Sequence, residues 1–360
     1  MNAASNPTVP DGLTVLVTGG AGFIGSNFLN LFVPRYPNVT FVNLDKLTYA
    51  GNLRNLAAIE RASNYRFERA DIADDQAVRD VFDKYGPDQV FHFAAETHVD
   101  RSIVDPMPFF RANLMGTANL LEAARAAWTS FEGKLFHHVS TDEVYGSLAD
   151  EGFFSETTPY DPSSPYSASK AGSDHMVRAY AHTYGMPTRI TNCSNNYGAY
   201  QFPEKLIPLM VFNAVDRKPL PVYGQGTNIR DWLFVEDHCE AIWTVALSGR
   251  DGETYNIGGN SERRNIDIVR GICAAVADET NCECSELESL ITFVADRPGH
   301  DFRYAIDATK LRDELGWQPR ESFESGLRKT VRWYLSNSEW VESVRSGAYR
   351  DWIETNYASR

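Results

Sequence analysis

The segment Thr14–Val17 is a short β-branched run that leads straight into Thr18-Gly19-Gly20-Ala21-Gly22-Phe23-Ile24-Gly25, a GxxGxxG loop placed to open a helix. Glycines at these points permit a tight turn, close backbone approach to a pyrophosphate and close helix–strand packing. The helix start then offers unpaired N–H groups and a partial positive charge to phosphate. Asp45 lies 20 residues beyond Gly25, at the end of the next strand candidate. A carboxylate there accepts from ribose hydroxyls and disfavours a 2′-phosphate, so the pattern points to NAD rather than NADP. Lys46 beside it blurs that preference slightly.

The rest of the first half repeats the rhythm. Strands are expected at Thr14–Val17, Thr40–Leu44, Tyr65–Glu68, Gln89–Phe93, Leu135–Val139 and Thr188–Thr191, with helices at Gly22–Phe32, Asp75–Tyr85, Pro106–Ala127 and Tyr166–Tyr184. Strands alternating with amphipathic helices build a parallel sheet covered on both faces. After about Asn192 prolines and glycines crowd in and the alternation is lost. The fold class is therefore α/β: a doubly wound, Rossmann-type parallel sheet followed by a smaller C-terminal substrate-binding α/β region. The expected divisions are a flexible tail over 1–12, an NAD-binding domain over 13–192, and a mainly substrate-binding part over 193–360, with part of 228–255 returning to the first domain.

Charge narrows the partners. Lysine and arginine number 34 against 48 acids, a formal charge of -14. Such a surface repels nucleic acids and anionic membranes, so neither is an expected partner. A phosphate-bearing ligand must meet local cations instead. No stretch approaches 18 consecutive apolar residues, so no membrane span is expected. The five cysteines form an odd, scattered set whose lone Cys282-x-Cys284 pair is weak support for a metal; reduced thiols in a cytoplasm are expected, and no metal site.

Tyr166 and Lys170 form a YxxxK pair, which i,i+4 spacing sets on one helix face. A free tyrosine titrates near about 10, so work as a base near neutrality needs phenolate favoured by about 4 kcal/mol. A nearby lysine ammonium and a positive nicotinamide are expected to supply it. The glycine loop together with Tyr166 and Lys170 resembles the extended short-chain dehydrogenase/reductase superfamily across essentially the whole chain.

Within that frame, Ser140-Thr141-Asp142-Glu143-Val144-Tyr145-Gly146 is the discriminating segment. Its strand ends near Thr141, which puts Asp142 and Glu143 at the carboxyl edge where ligands bind in such sheets. Adjacent carboxylates are costly unless they divide into a protonated acid and an ionised base. Elimination of water from a sugar needs that division, whereas a 4-epimerase does not.

The STDEVYG segment is similar to the active-site signature of the dTDP-glucose 4,6-dehydratase family. DKLTYAGN from Asp45, AAETHVDRS from Ala94, NCSNNYG from Asn192, FPEKLIP from Phe202, RDWLFVEDH from Arg230 and DRPGHD from Asp296 extend the likeness; Ala199 departs from it, where proline is expected. The resemblance implies a homodimer, joined through the helices from Pro106 and Tyr166, and an activity in deoxysugar biosynthesis. Tyr166, with Lys170 and Thr141, would deprotonate the C4 hydroxyl during oxidation by bound NAD. Glu143 would take the C5 proton and Asp142 would protonate the C6 oxygen.

By the same likeness NAD would contact Gly19, Gly22, Phe23, Ile24, Gly25, Asp45, Lys46, Thr48, Asp71, Ile72, Ala94, Ala95, Tyr166, Lys170 and Asn195. The substrate would meet Thr97, Asn195, Asn196, Lys205, Leu206, Pro221, Tyr223, Arg230, Asn265, Arg297 and His300, with Arg230 and Arg297 as forks for the pyrophosphate. UDP-glucose 4,6-dehydratases share the STDEVYG pattern, so the nucleotide base stays open at this point, and a nucleotide-sugar 4-epimerase stands as the other alternative.

Overall fold

A computed structural model describes residues 9–296 and 300–345. Twelve strands lie along it in chain order: β1 Thr14–Thr18, β2 Thr40–Leu44, β3 Tyr65–Glu68, β4 Gln89–His92, β5 Leu135–Thr141, β6 Thr188–Cys193, β7 Asn195–Tyr197, β8 Leu220–Tyr223, β9 Ile229–Phe234, β10 Thr254–Ile257, β11 Glu262–Arg264 and β12 Ile291–Val294. Seven of them form one sheet in the order β10-β6-β5-β4-β1-β2-β3. Every pairing in it is parallel. A parallel sheet must be covered on both faces, and the sequence supplies the covers as helices α1 Phe23–Arg35, α2 Asp75–Tyr85, α3 Val99–Val104, α4 Met107–Phe109, α5 Gly116–Ala127 and α6 Pro165–Tyr184.

On one face Phe28, Phe32 and Phe91 pack with Trp243, whose ring stacks on Phe32 at 4.6 Å. Trp243 belongs to α8 (Val235–Ser248), which follows α7 (Leu206–Val215). Thus α8 and β10, both well past residue 192, complete the seven-stranded half. The other face buries Leu16, Val42, Val90 and Phe136 under Leu120, Leu121 and Val177. Burying such a side chain contributes on the order of 1.5–3 kcal/mol. A second core holds Met210, Phe212, Trp232, Ile268, Ile272, Leu327 and Tyr334 together, between α7, β9, α9 (Asn265–Thr280) and the helix Phe323–Ser336.

Local chemistry fixes the ends of the helices. Ser164 and Ser167 form a reciprocal capping box ahead of α6, Pro165 fills its first turn, and Gly185 closes it at φ +65°. Three expectations change. The continuous helix over Pro106–Ala127 is interrupted by a wide π-type turn at Phe110–Met115, where Asn113 turns inward to bond the Glu96 backbone on both sides. β6 runs two residues beyond its expected end at Thr191, because Asn192 and Cys193 pair with Ser140 and Thr141 of β5. Of the tail expected over 1–12, residues 9–12 are tied down: Val9 packs on the first core and Gly12 N–H donates to the Asn38 carbonyl at 3.0 Å. Residues 1–8 lie outside those described.

Candidate active site

Parallel strands deliver all their carboxyl ends to one edge, and the order reverses between β1 and β4, where ligands bind in folds of this kind. A cavity opens at that crevice. It is lined by Gly19, Gly22, Phe23, Ile24, Gly25, Asp45, Lys46, Thr48, Ile72, Ala94 and Ala95 on one side and by Thr141, Asp142, Glu143, Tyr166 and Lys170 on the other.

The dinucleotide side fits its expected ligand. Gly19 turns at φ +72°, and a Cβ there would lie 2.7 Å from the Ala94 backbone. Gly22 caps α1 with no side-chain hydrogen bond, and no acid occupies the first turn, so the uncapped N–H groups suit a pyrophosphate. Asp45 accepts from Ala21 N at 2.9 Å and Leu47 N at 2.8 Å while facing the cavity. Burial raises its carboxyl, and those two N–H bonds pull the other way. Lys46 lies 3.5 Å from Asp71, which offsets its charge next to Asp45. Asp71 itself is outside the cavity wall and caps Ala73 N at 2.9 Å.

On the chemical side Asp142 is 2% exposed. Burial raises its carboxyl well above the usual range, Glu143 adds like charge, and Arg230 counteracts in part. Its Oδ1 faces the Thr141 hydroxyl at 3.3 Å, and its buried Oδ2 has no hydrogen-bond partner among the described residues. Such an orphan oxygen fits a protonated carboxyl waiting for an acceptor. Thr141 Oγ1 also caps Glu143 N at 3.3 Å.

Tyr166 is buried in the same wall of the cavity. Burial raises its phenol well above the ordinary value, the Glu143 and Asp142 carboxylates push the same way, and the Thr141 hydroxyl opposes them. Lys170 points elsewhere, donating to the Val139 carbonyl at 2.9 Å with His138 Nε2 at 3.4 Å. Burial lowers the Lys170 ammonium. The lysine alone therefore does not bring the tyrosine down to neutrality.

Of the residues expected on the substrate side, Thr97, Asn195, Asn196 and Lys205 line the same cavity. Lys205 Nζ holds the Thr97 carbonyl at 3.0 Å. Asn195 Oδ1 is buried without a hydrogen-bond partner among the described residues, and so is Asn265 Oδ1 at the start of α9. Leu206, Pro221, Tyr223, Asn265 and His300 lie outside the cavity wall. Leu206 packs on the second core. Pro221 and Tyr223 sit on β8, Tyr223 donates to Asp100 at 3.2 Å, and His300 Nδ1 faces Asp296 at 2.6 Å.

Arg230, expected to meet the pyrophosphate, is engaged within the protein. It is 5% exposed, stacks 4.1 Å over Tyr304, and donates to the carbonyls of Ile229, Asp301 and Phe302. The reason is its place inside β9, where those carbonyls are the acceptors within reach. Arg297 lies outside the described residues.

Sequence reasoning missed several neighbours. Ser194, Gln201 and Glu204 also line the cavity. Glu204 is nearly buried, accepts from Tyr49 at 3.0 Å and Arg101 at 3.1 Å, and is raised by that burial. The FPEK stretch holding Glu204 was visible, but its contact with residues more than 100 positions earlier was not.

Comparison with known proteins agrees with this arrangement. A family model described as GDP-mannose 4,6 dehydratase matches residues 16–330. The dTDP-glucose 4,6-dehydratase of Salmonella typhimurium is 55% identical, over 97% of this chain and 100% of its own. The Streptomyces venezuelae dTDP-glucose 4,6-dehydratase DesIV, solved with NAD bound, superposes with a TM-score of 0.84 at 46% identity, over 92% of this chain and 100% of that one. The Thermus thermophilus UDP-glucose 4-epimerase, also solved with NAD, reaches 0.80 at 29% identity, over 90% and 100%. The fold is thus common to both reactions and does not choose between them; the higher identity does. The chain belongs to the dTDP-glucose 4,6-dehydratases, within the wider family that the GDP-mannose 4,6 dehydratase model describes.

Proposed function

We propose that this chain converts dTDP-glucose to dTDP-4-keto-6-deoxyglucose by oxidation at C4, elimination of water across C5–C6, and reduction at C6. One observation carries the reading: Asp142, buried and biased toward its protonated form, stands beside Glu143 in the same cavity as Tyr166 and Lys170. When bound, NAD supplies reversible two-electron oxidation at the sugar carbon. Gly19, Gly22 and Gly25 would admit its pyrophosphate, and Asp45 would face its ribose.

Tyr166 receives the C4 hydroxyl proton, with Thr141 beside it. Its phenol is held high by burial and by Glu143, so phenolate forms only when positive charge enters the same dry site, where that charge acts strongly. A C4 ketone acidifies the C5 hydrogen, which Glu143 removes. Asp142 then gives its proton to the departing C6 oxygen, so acid and base act as one pair. A 4-epimerase has no use for that pair. Thr97, Asn195, Asn196 and Lys205 would hold the nucleotide sugar.

Turnover of dTDP-, UDP- and GDP-glucose measured side by side tests this. The expected result is a 4-keto-6-deoxy product formed fastest from the dTDP sugar, with NAD copurifying. Absence of that product from all three would overturn the function.

The exposed side chains Val104, Met107 and Met115, 78%, 51% and 57% accessible, form apolar surface around α3 to α5 beside α6. That surface supports a homodimer through these helices. Light scattering should give the mass of two chains, and Met115→Glu should shift it toward one; a monomeric wild-type protein would contradict the pairing. Among the described residues no helix is long and apolar enough to cross a membrane. All five cysteines are free, which supports a cytoplasmic location.

A further inference from the structure

Tyr166, Lys170, Asp174 and Arg178 follow one another at four-residue spacing along α6. This extends the YxxxK stripe by two further turns of one helix face. Tyr166 and Lys170 line the cavity, whereas Asp174 does not. Asp174 is 0% exposed, and a carboxylate so placed is costly unless fully partnered.

Its partners all lead toward the site. Oδ2 accepts from Ser140 Oγ at 2.8 Å and from Tyr160 OH at 2.8 Å. Oδ1 lies 3.2 Å from His138 Nε2, and that same nitrogen lies 3.4 Å from Lys170 Nζ. Behind it Arg178 donates to Tyr160 OH at 2.8 Å, and Asn192 does so at 3.2 Å. Ser140 is the residue directly before Thr141-Asp142-Glu143. The carboxylate therefore touches the strand that presents the acid–base pair and, across His138, faces the lysine of the Tyr166–Lys170 face.

We infer that Asp174 is a positioning residue for this reaction: its hydrogen bonds fix the end of β5 against α6, and its negative charge, one helical turn from Lys170, favours the lysine ammonium. The inference rests on the dehydratase reading of Tyr166 and Lys170. The electrostatics run the same way. Burial lowers Lys170, and Asp174 pulls it back up. Burial, with Lys170 next, lowers His138 to about 4, so the imidazole between them is neutral at physiological pH. Burial would raise Asp174, but His138, Lys170 and Tyr160 together hold it below the ordinary carboxylate value. The titratable groups facing Lys170 are His92 from β4, His138 from β5, Cys193 from β6, and Asp174 from its own helix.

Two variants of the full chain with NAD separate positioning from simple packing. Asp174→Asn keeps an acceptor for Ser140 and Tyr160 but removes the charge. An opposite charge at this range shifts a neighbour by about one unit or more, so the alkaline limb of the kcat profile should move about one unit to lower pH. On the alkaline side of the limb kcat should then fall about tenfold, with little effect on its acid side and an unchanged KM for dTDP-glucose. Ser140→Ala keeps the charge and cuts the tie to β5, so kcat should fall at every pH with the limb in place.

A limb that stays put in Asp174→Asn would overturn the electrostatic role. Unchanged kcat in Ser140→Ala would overturn the positioning role, and that variant decides the matter should Asp174→Asn fail to fold. A wild-type chain without turnover would remove the function itself and this inference with it. An active wild type with both variants unmoved would remove this inference alone.

Discussion

Replacing Asp142 with asparagine should cut turnover of dTDP-glucose by at least about 10²-fold, because general acid help to a poor leaving group contributes about 10²–10⁴. The substitution keeps the volume and the neutral state of a buried group, so NAD retention and substrate affinity should persist. Stability supplies a second readout. Burial and Glu143 raise the folded-state carboxyl of Asp142 above its ordinary value. Its stabilising contribution is therefore complete below the unfolded value and is lost as pH rises through the raised one. Asparagine does not titrate. The variant should melt close to wild type in mild acid and gain on it steadily toward alkaline pH. Equal melting temperatures at every pH would show that Asp142 is not held protonated by its surroundings.

Gly25→Ala should remove bound NAD. A Cβ at residue 25 would stand 2.4 Å from the Gly19 carbonyl oxygen and 2.8 Å from the Gly20 Cα. Both are backbone atoms of the phosphate loop, so relief requires the loop itself to move. Overpacking of this kind costs about 1–3 kcal/mol, and it falls here on the geometry that meets the pyrophosphate. Purified variant should carry little or no NAD by absorbance after denaturation, and turnover should fall in proportion. Full loading would mean that the loop does not make the expected close approach.

The glycine loop, the second and third strands and the helix Asp75–Tyr85 were legible because each is a local matter. Strands such as Thr40–Leu44 are continuous apolar or β-branched runs, and Asp74 and Gly86 mark the ends of α2 with a side-chain cap and a left-handed turn. The acid pair was legible too, since Asp142 and Glu143 directly follow a strand. What failed to show was anything set by distant packing. The wide turn at Phe110–Met115 depends on Asn113 reaching Glu96, and no periodicity signals that.

Arg230 reads as a cation for the pyrophosphate, because a guanidinium forks onto phosphate oxygens and an acidic chain needs local cations. Its engagement with the carbonyls of residues 301 and 302 arises only when β9 packs beside that later segment. The direction of the Lys170 ammonium is set in a related way. Spacing puts Tyr166 and Lys170 on one face, but the Val139 carbonyl and His138 decide where the ammonium points. Asp174 lies one step further along the same four-residue spacing but was not singled out in the sequence, since only its burial gives that step meaning.

The division of labour between Asp142 and Glu143 is tested most directly by following the C5 hydrogen. dTDP-glucose carrying deuterium at C5 can be incubated with wild type, Asp142→Asn and Glu143→Gln, and loss of the label to water measured by mass spectrometry. The expected pattern is washout in wild type, washout without loss of the C6 oxygen in Asp142→Asn, and retained label in Glu143→Gln. Retention in Asp142→Asn together with washout in Glu143→Gln would contradict the assignment of acid and base.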